Sequence, residues 1–250
     1  MTCTWLHQNH PYLRLGPFKH EILHQNPEIA IIHGLANSKE VQNIQNFSRG
    51  KMKSTPYTSN GSYDNFSKGR TSKVKYANER LVPEAMVLSK KIELATKFNL
   101  YHEDYASENY QIMNYGIGGK ITNHVDETGF IFSRNNTEKY ESDEQLAQQQ
   151  TLFGGFRFVT FMIYLSTVEA GGHTVFPQAG ISVKPEIGSA LYWFNIGAKN
   201  NYDSRTYHLG CPVLYGNKWI SNKWVRWMAN YKNFPCYIHK NHYKINQQTT

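Results

Sequence analysis

Residues 156–165 read Phe-Arg-Phe-Val-Thr-Phe-Met-Ile-Tyr-Leu, and apart from Arg157 and Thr160 every one of them is apolar. A run this short and this apolar is typical of a β-strand that is buried on both faces of a sheet. We therefore expect this stretch to lie inside a packed β domain.

Shorter apolar runs surround this stretch, and turns that contain glycine separate many of them. They predict strands at Ile29–His33, Tyr110–Tyr115, His173–Phe176, Ile181–Lys184, Ala190–Asn195 and Trp219–Met228. Two stretches with helical spacing of apolar residues precede most of these strands; Ser38 is expected to cap the first and Pro83 to begin the second. The pattern predicts a mainly β protein with flanking helices, a double-stranded β-helix (jelly-roll) barrel with the N-terminal helices packed on it.

The length of 250 residues and the mass of 28.9 kDa predict a single domain with a sizeable core. We expect a loop-rich N-terminal tail at 1–28, the folded domain at 29–236 and a C-terminal tail at 237–250. Residues 51–80 are polar and predict a loop near a substrate groove. Asn135–Gln150 is charged and rich in glutamine, which is typical of an exposed insertion or a lid.

The net charge of +8 and the pI near 9.2 come from basic residues that are scattered along the chain. Because nucleic-acid-binding proteins concentrate lysine and arginine in patches, we expect no nucleic-acid partner. The sequence has no apolar run long enough for a transmembrane helix, so we expect no membrane span. Residues 1–7 also lack the apolar segment of a signal peptide.

The triplet His124-Val125-Asp126 indicates a metal site, together with His208 far downstream. Residues two apart on an extended segment point the same way, so His124 and Asp126 would present two ligands to one point. Two imidazoles and one carboxylate can hold iron(II) on one face and leave the other face open, whereas a closed four-ligand zinc site would not. Lys218, ten residues after His208, could hold an acidic co-substrate beside the metal.

An ordinary surface triplet is the alternative interpretation. The chain has 11 histidines and 19 acidic residues, so an H-x-D triplet alone is weak support for a site. A second triplet of this kind spans residues 102–104 in a polar stretch, and we expect it to be solvated surface. Lys218 is likewise either an exposed strand lysine or an inward-facing cation for a buried carboxylate. The residues alone leave these alternatives open.

Several blocks follow one another between residues 110 and 236. They are N-Y-G-x-G-G at 114–119, H-x-D at 124–126, A-G-G-x-T-V-F-P at 170–177, H-x-x-C-P-V-L at 208–214 and G-N-K-W-I-S-N-K-W at 216–224, with a weaker R-T-S-K at 70–73. In these blocks the chain resembles the catalytic domain of collagen-type prolyl 4-hydroxylase alpha subunits, which are iron(II)- and 2-oxoglutarate-dependent dioxygenases. Ordered blocks of this length are far more specific than a single triplet.

The resemblance implies a complete set of site residues. It implies that iron(II) is bound by three ligands: His124, Asp126 and His208. It implies that Lys218 pairs with the distal carboxylate of 2-oxoglutarate, and it places the hydroxyls of Tyr115 and Thr160 near that co-substrate. The implied reaction is hydroxylation of peptidyl proline, in procollagen-like sequences, with conversion of O2 and 2-oxoglutarate to succinate and CO2, and L-ascorbate as reductant.

The resemblance also implies a cellular setting. Alpha subunits assemble with protein disulfide isomerase, so a second subunit of that kind is an expected partner and the endoplasmic reticulum lumen is the expected compartment. Sequons at Asn46, Asn60, Asn65 and Asn135 agree with a secretory compartment, whereas the missing signal peptide argues the other way. Cys211 and Cys236 match positions that the family bridges, which predicts a disulfide between them and leaves Cys3 unpaired.

The chain departs from the family at two places. Tyr207 precedes the second histidine where the family usually has arginine, and Glu127–Gln150 is unlike the usual pattern. These departures keep open a related 2-oxoglutarate-dependent hydroxylase of another protein or peptide, and an inactive binding paralogue is the alternative from a different class. Lys223 lies five residues after Lys218, so on a regular strand it faces away from the site.

Overall fold

The structure is a computed structural model, and it describes residues 2–8, 10–54, 57–59, 62–64, 71–101, 106–126, 154–197 and 203–233. The α-helices in this part of the chain are α1 (Pro11–Leu15), α2 (Ser38–Ser48) and α3 (Pro83–Thr96). Its strands are β1 (Thr2–Leu6), β2 (Phe18–Gln25), β3 (Glu28–His33), β4 (Lys53–Ser54), β5 (Tyr57–Ser59), β6 (Ser62–Asp64), β7 (Lys73–Ala77), β8 (Tyr110–Tyr115), β9 (Ile121–His124), β10 (Arg157–Tyr164), β11 (Ala170–Gly171), β12 (Thr174–Phe176), β13 (Ile181–Val183), β14 (Ala190–Phe194), β15 (His208–Gly210), β16 (Val213–Tyr215) and β17 (Lys218–Arg226).

Two antiparallel sheets carry the fold. Over the described residues, the larger sheet has nine strands in the order β1-β2-β3-β14-β10-β17-β8-β7-β4, and the smaller has four in the order β13-β12-β15-β9. The apolar stretch forms β10, which lies inside the larger sheet between β14 and β17 and is buried along nearly its whole length. The predicted fold class, a mainly β jelly roll with helices packed on it, is confirmed.

The larger sheet separates two apolar cores. One face packs against α2 and α3 through side chains that include Ile44, Leu88 and Phe161. The other face packs against the smaller sheet, with Met162 from β10 and Phe176 from β12 in the same cluster. Since neighbouring strand residues point to opposite faces, β10 contributes to both cores at once. The candidate site lies within the second core, between the two sheets.

The first long helix begins one residue earlier than the sequence pattern indicates. Asn37, not Ser38, is the N-cap: its side chain accepts from the backbone N–H of Glu40 at 2.9 Å, and Glu40 accepts from the backbone N–H of Asn37 at 2.9 Å. This reciprocal capping box needs a glutamate three residues after the cap, and only Asn37 has one. Pro83 begins α3 as predicted.

The N-terminal residues contribute strands where the sequence predicts a loop-rich tail. β1 and β2 extend the larger sheet beyond β3. Polar residues on β2 hide this from a hydropathy pattern: His20 is fully buried, and its Nε2 lies 2.7 Å from the hydroxyl of Tyr192. That hydroxyl donates to Glu28 at 2.5 Å. A buried polar side chain is tolerated where it has such a partner.

Several predictions concern residues outside the described ranges. These are the exposed segment Asn135–Gln150, the triplet at 102–104, the C-terminal tail at 237–250 and the cysteine Cys236. Cys211 forms no disulfide with another described residue, so its pairing with Cys236 stays a prediction, as do the domain boundaries. None of the helices in the described part of the chain has the length and apolarity that a membrane crossing requires.

Candidate active site

Strand pairing brings the predicted ligands together. His124 ends β9 and His208 begins β15, and the two residues are direct partners in the antiparallel register. Asp126 follows β9 closely, and its Oδ1 lies 3.6 Å from Nε2 of His124 and 3.8 Å from Nε2 of His208. One ligand atom from each residue lies within 4.8 Å of the other two. The structure therefore places three donors around a single point.

A backbone carbonyl orients each histidine. Nδ1 of His124 lies 2.9 Å from the carbonyl oxygen of Thr122, and Nδ1 of His208 lies 3.0 Å from that of Thr206. A carbonyl oxygen only accepts hydrogen bonds, so both Nδ1 atoms donate, and Nε2 is the atom of each ring that is left for a metal. Proteins commonly hold imidazole ligands to a metal in this way.

The second carboxylate oxygen of Asp126 is fixed by its neighbours. Oδ2 accepts from the hydroxyl of Thr160 at 2.8 Å and from Nε1 of Trp224 at 3.0 Å. Thr160 accepts in turn from Nδ2 of Asn195 at 3.0 Å, and Oδ1 of Asn195 accepts from Nε1 of Trp193 at 2.9 Å. These bonds occupy Oδ2 and leave Oδ1 directed toward the histidines.

The backbone of Asp126 is also anchored. Nη1 of Arg157 donates to the carbonyl oxygen of Asp126 at 3.0 Å, and the guanidinium lies 3.6 Å from the ring centroid of Trp224. Glu108 binds Arg157 at 2.6 Å and Arg226 at 2.8 Å. Burial would raise the pKa of Glu108, but the hydrogen bond and charge of Arg157, with the charge of Arg226, lower it below its usual value.

The protonation states of the ligands suit a metal cation. Burial alone would raise the pKa of Asp126, but the neighbouring His208 and His124 and the hydrogen bond from Trp224 hold it well below its usual range. Burial lowers the pKa of His208 to about 4, and His124 adds to this effect. Near pH 7 Asp126 is therefore an anion and His208 a neutral imidazole.

A pocket opens beside the ligand site, and both histidines and Lys218 belong to its lining. Its lining residues are Met113, Tyr115, Ile121, His124, Met162, Thr174, Trp193, His208, Leu209, Gly210, Lys218, Ile220 and Asn222. Lys218 is only 4% exposed, and burial lowers its pKa to about 8. Among the described residues it makes no ion pair; its Nζ donates to the hydroxyl of Thr174 at 3.2 Å. Burying a cation without an anion costs free energy, so the pocket around Lys218 suits a carboxylate from a ligand.

Two hydroxyl-bearing residues accompany Lys218. Tyr115 is its direct partner across β8 and β17 and lines the same pocket, and the contact with 2-oxoglutarate that the resemblance implies for it stays a prediction. Thr174 belongs to the A-G-G-x-T-V-F-P block, for which the sequence predicts no role, and its Oγ1 accepts from both Tyr164, at 3.0 Å, and Lys218. Because Oγ1 already accepts twice, the hydroxyl hydrogen of Thr174 is the part that can donate to a ligand. This contact joins the two sheets, which the sequence pattern does not reveal.

Thr160 occupies a different position from the one expected. The resemblance places its hydroxyl near 2-oxoglutarate, but in the structure this hydroxyl lies between Asp126 and Asn195, and Thr160 is not among the residues that line the pocket. Any contact between Thr160 and the co-substrate stays a prediction. Its observed geometry points to orienting the carboxylate of Asp126.

Comparison with known proteins identifies the domain. Residues 110–226 match the family described as the 2OG-Fe(II) oxygenase superfamily, and all three candidate ligands and Lys218 lie inside this range. Residues 110–226 of this chain form a 2OG-Fe(II) oxygenase domain. The predicted enzyme class, a 2-oxoglutarate-dependent dioxygenase, is confirmed at this level.

Curated relatives of this oxygenase are prolyl 4-hydroxylase alpha subunits. The chain is 32% identical over 234 residues to human prolyl 4-hydroxylase subunit alpha-3, covering 94% of this chain and 40% of the human protein. It is also 32% identical over 233 residues to subunit alpha-2 of Caenorhabditis elegans, covering 93% of this chain and 40% of the relative. The predicted resemblance is confirmed, and the oxygenase spans less than half the length of these relatives.

Solved structures share the fold. A viral collagen prolyl hydroxylase of Paramecium bursaria Chlorella virus 1, solved with 2OG, superposes with a TM-score of 0.56 at 21% identity, covering 79% of this oxygenase and 95% of the viral chain. A prolyl hydroxylase of Trichoplax adhaerens, solved with a hypoxia-inducible-factor peptide, gives a TM-score of 0.52 at 18% identity, covering 79% and 83%. At these identities the comparisons support the jelly-roll fold alone.

Thr160→Val tests the orientation of Asp126 in the oxygenase. The substitution keeps the shape of the side chain but removes a hydrogen bond to the carboxylate, so we expect iron(II) affinity to fall by about 10- to 100-fold. Competition with a chelator measures this directly. Thr96→Val is the matched control, because Thr96 is equally buried but lies in α3 and donates to the carbonyl oxygen of Ile92. Equal iron affinities in the two variants would contradict the orienting role.

Proposed function

We propose that this oxygenase is a prolyl 4-hydroxylase that acts on peptidyl proline. The reaction consumes one O2 and one 2-oxoglutarate, places one oxygen atom on the proline ring, and releases succinate and CO2. The observation that carries the proposal is a three-donor site beside a pocket whose lining includes Lys218, a buried cation that has no ion-pair partner among the described residues. The identity to prolyl 4-hydroxylase alpha subunits supports proline as the target.

The donor set fits iron(II). We assign His124, Asp126 and His208 as the three ligands, because two imidazole nitrogens and one carboxylate oxygen converge without a fourth protein donor among the described residues. When bound, iron(II) would supply the activation of O2 and the oxidative decarboxylation of 2-oxoglutarate. The hydrogen bonds from Thr160 and Trp224 hold the carboxylate of Asp126 in its orientation before the metal binds.

The part of the pocket around Lys218 fits one carboxylate of a dicarboxylic acid. We assign Lys218 to the distal carboxylate of 2-oxoglutarate, with the hydroxyl of Thr174 as a second donor and Tyr115 beside them. The apolar walls formed by Met113, Met162 and other residues of the lining exclude water around this ion pair and so strengthen it. The positions of metal and carboxylate together orient the co-substrate.

The finer assignments rest on the resemblance to alpha subunits. We propose procollagen-like peptides as the substrate, L-ascorbate as reductant, a protein disulfide isomerase as second subunit, and the endoplasmic reticulum lumen as compartment. A Cys211–Cys236 disulfide belongs to the same proposal. The relatives are named as subunits, which supports an assembly with another chain.

Succinate release with a panel of peptides tests the proposed function. Collagen-like peptides with proline before glycine should stimulate succinate release and gain the mass of one oxygen atom, because collagen carries hydroxyproline at that position. Matched peptides with alanine in place of that proline should do neither. Stimulation by proline-free peptides with oxygen added to another residue would contradict the proline assignment and favour a hydroxylase of another substrate.

A further inference from the structure

Two buried side-chain amides beside the metal pocket have carbonyl oxygens without a partner. Gln111 and Asn222 are each 6% exposed, and neither Oε1 of Gln111 nor Oδ1 of Asn222 accepts a hydrogen bond from any described residue. Buried polar groups in proteins are nearly always hydrogen-bonded, and an exception calls for a ligand or an ordered water. The assigned roles of iron(II) and 2-oxoglutarate leave these two amides unused.

The two amides form one polar row across the larger sheet. Asn222 on β17 pairs directly with Gln111 on β8, and Gln111 pairs with Tyr76 on β7. Direct partners in antiparallel strands project from the same face, with Cβ atoms about 5 Å apart. Asn222 lines the metal pocket, while Tyr76 is 54% exposed and accepts from Nε2 of Gln111 at 2.9 Å. The row therefore leads from the metal pocket to the protein surface.

The chemistry of the row selects a neutral ligand with hydrogen-bonding groups. Its three side chains are two primary amides and a phenol, so the row offers hydrogen-bonding groups rather than an ion-pair partner. A primary amide presents one acceptor oxygen and a donor NH2 group. The N–H and C=O of one extended peptide residue offer the complementary pair.

We propose that Gln111 and Asn222 bind the main chain of the peptide substrate next to the target proline. This proposal rests on the proposed function, since it assumes that a peptide lies beside the metal pocket. Proline itself has no N–H, so the donor must come from a neighbouring residue. In a collagen-like sequence the residue after the target proline is glycine, which supplies an N–H without a side chain to obstruct it.

A peptide that lacks this single N–H tests the proposal without changing the protein. One fluorescein-labelled peptide carries a Pro-Pro-Gly triplet, and a second carries glycolic acid in place of that glycine, so that an ester oxygen replaces the N–H. Binding is measured by fluorescence polarisation with iron(II) and 2-oxoglutarate under nitrogen, where no turnover occurs. We expect the ester peptide to bind about three- to tenfold more weakly, as is typical for the loss of one hydrogen bond.

Variants of the two amides complete the test. In the variants Asn222→Leu and Gln111→Met the difference in affinity between the glycine peptide and the ester peptide (the ester penalty) should shrink toward zero, because each variant removes a side-chain oxygen that would accept from the N–H. The melting temperature should stay constant or rise, since an unpaired buried oxygen is replaced by an apolar group of similar shape. Ser221→Ala is the matched control: Ser221 is also buried, and its hydroxyl has no partner in the described part of the chain, but its cross-strand neighbours Ile112 and Ile163 belong to the core on the helix side. This variant should keep the full ester penalty.

The outcomes separate this proposal from the proposed function. If the wild-type enzyme hydroxylates the peptide but binds both peptides equally, the main-chain subsite is wrong and the proposed function stands. If both amide variants keep the full ester penalty, the N–H is bound elsewhere and the subsite is again wrong. If the wild-type enzyme neither binds nor hydroxylates any proline peptide, both proposals fail.

Discussion

Asp126→Ala is expected to abolish iron(II) binding and turnover together. Asp126 is the sole anion of the three-donor set, and its carboxylate lies within 3.8 Å of both imidazole nitrogens. Its removal also leaves the donors Thr160 and Trp224 without their acceptor. The loss of iron affinity should exceed the 10- to 100-fold that is typical for residues that only support a ligand, by about another order of magnitude or more. Iron content after dialysis and succinate release measure the two effects.

The sequence supplies the control for this experiment. Asp104 belongs to the second H-x-D triplet, which is expected to be solvated surface, although it lies outside the described residues. Asp104→Ala should keep both iron and turnover. An Asp126→Ala enzyme that still released succinate would overturn the iron site, and so would a tetrahedral zinc ion with a cysteine ligand in the wild-type protein.

Local sequence predicts the parts of this molecule that depend on near neighbours. The two-residue spacing of His124 and Asp126 predicts that both face one point, as on an extended segment, and the structure keeps this although β9 itself ends at His124. The alternation along β17 directs Lys218 and Lys223 to opposite faces of the sheet, as predicted: Lys218 lines the pocket, and Lys223 contacts Glu79 and Tyr110 on the other side. The apolar run of β10 predicts a strand that is buried on both faces. In each case the side-chain direction follows from the alternation of neighbouring residues along an extended chain.

Contacts between distant residues are what the sequence could not provide. The acceptor role of Asp126 depends on Thr160 and Trp224, which only the order of strands β10 and β17 brings to it. His20 resembles an ordinary polar residue until Tyr192 is placed against it. For the same reason the buried partner of Lys223 was missed: Glu79 precedes it by 144 residues, and the two meet only because α3 and the preceding turn pack on the sheet.

The two buried lysines of β17 are expected to respond in opposite ways to the same substitution. Lys218→Met should raise the KM for 2-oxoglutarate about 30-fold to several thousand-fold, because a charge-assisted pair in a buried site contributes about 2–5 kcal/mol. The same variant should melt at an unchanged or higher temperature, since this buried cation has no anion beside it among the residues that the structure describes. Initial rates of succinate release and thermal melts measure the two effects.

Lys223→Met should do the reverse. Lys223 is fully buried against the carboxylate of Glu79, and its Nζ also donates to the carbonyl oxygen of Glu108 at 2.5 Å. Removing it leaves Glu79 without its cation in the interior, which typically costs about 3–5 kcal/mol of unfolding free energy. The KM for 2-oxoglutarate should change little, because this side chain lies on the opposite face of the sheet. Lys184→Met, at an exposed position, is expected to change neither quantity.

The pH dependence of co-substrate binding separates the charge of Lys218 from its shape. Burial sets its pKa in the free enzyme at about 8, so the cation is present below that pH and is lost as the pH rises through it. The KM for 2-oxoglutarate should therefore climb above about pH 8, by up to tenfold per pH unit. Lys218→Arg should remove this rise, since a guanidinium stays protonated, while its planar fork keeps the KM above the wild-type value. A pH-independent KM in the wild-type enzyme, or a raised KM in Lys223→Met but not in Lys218→Met, would mean that the co-substrate carboxylate binds elsewhere.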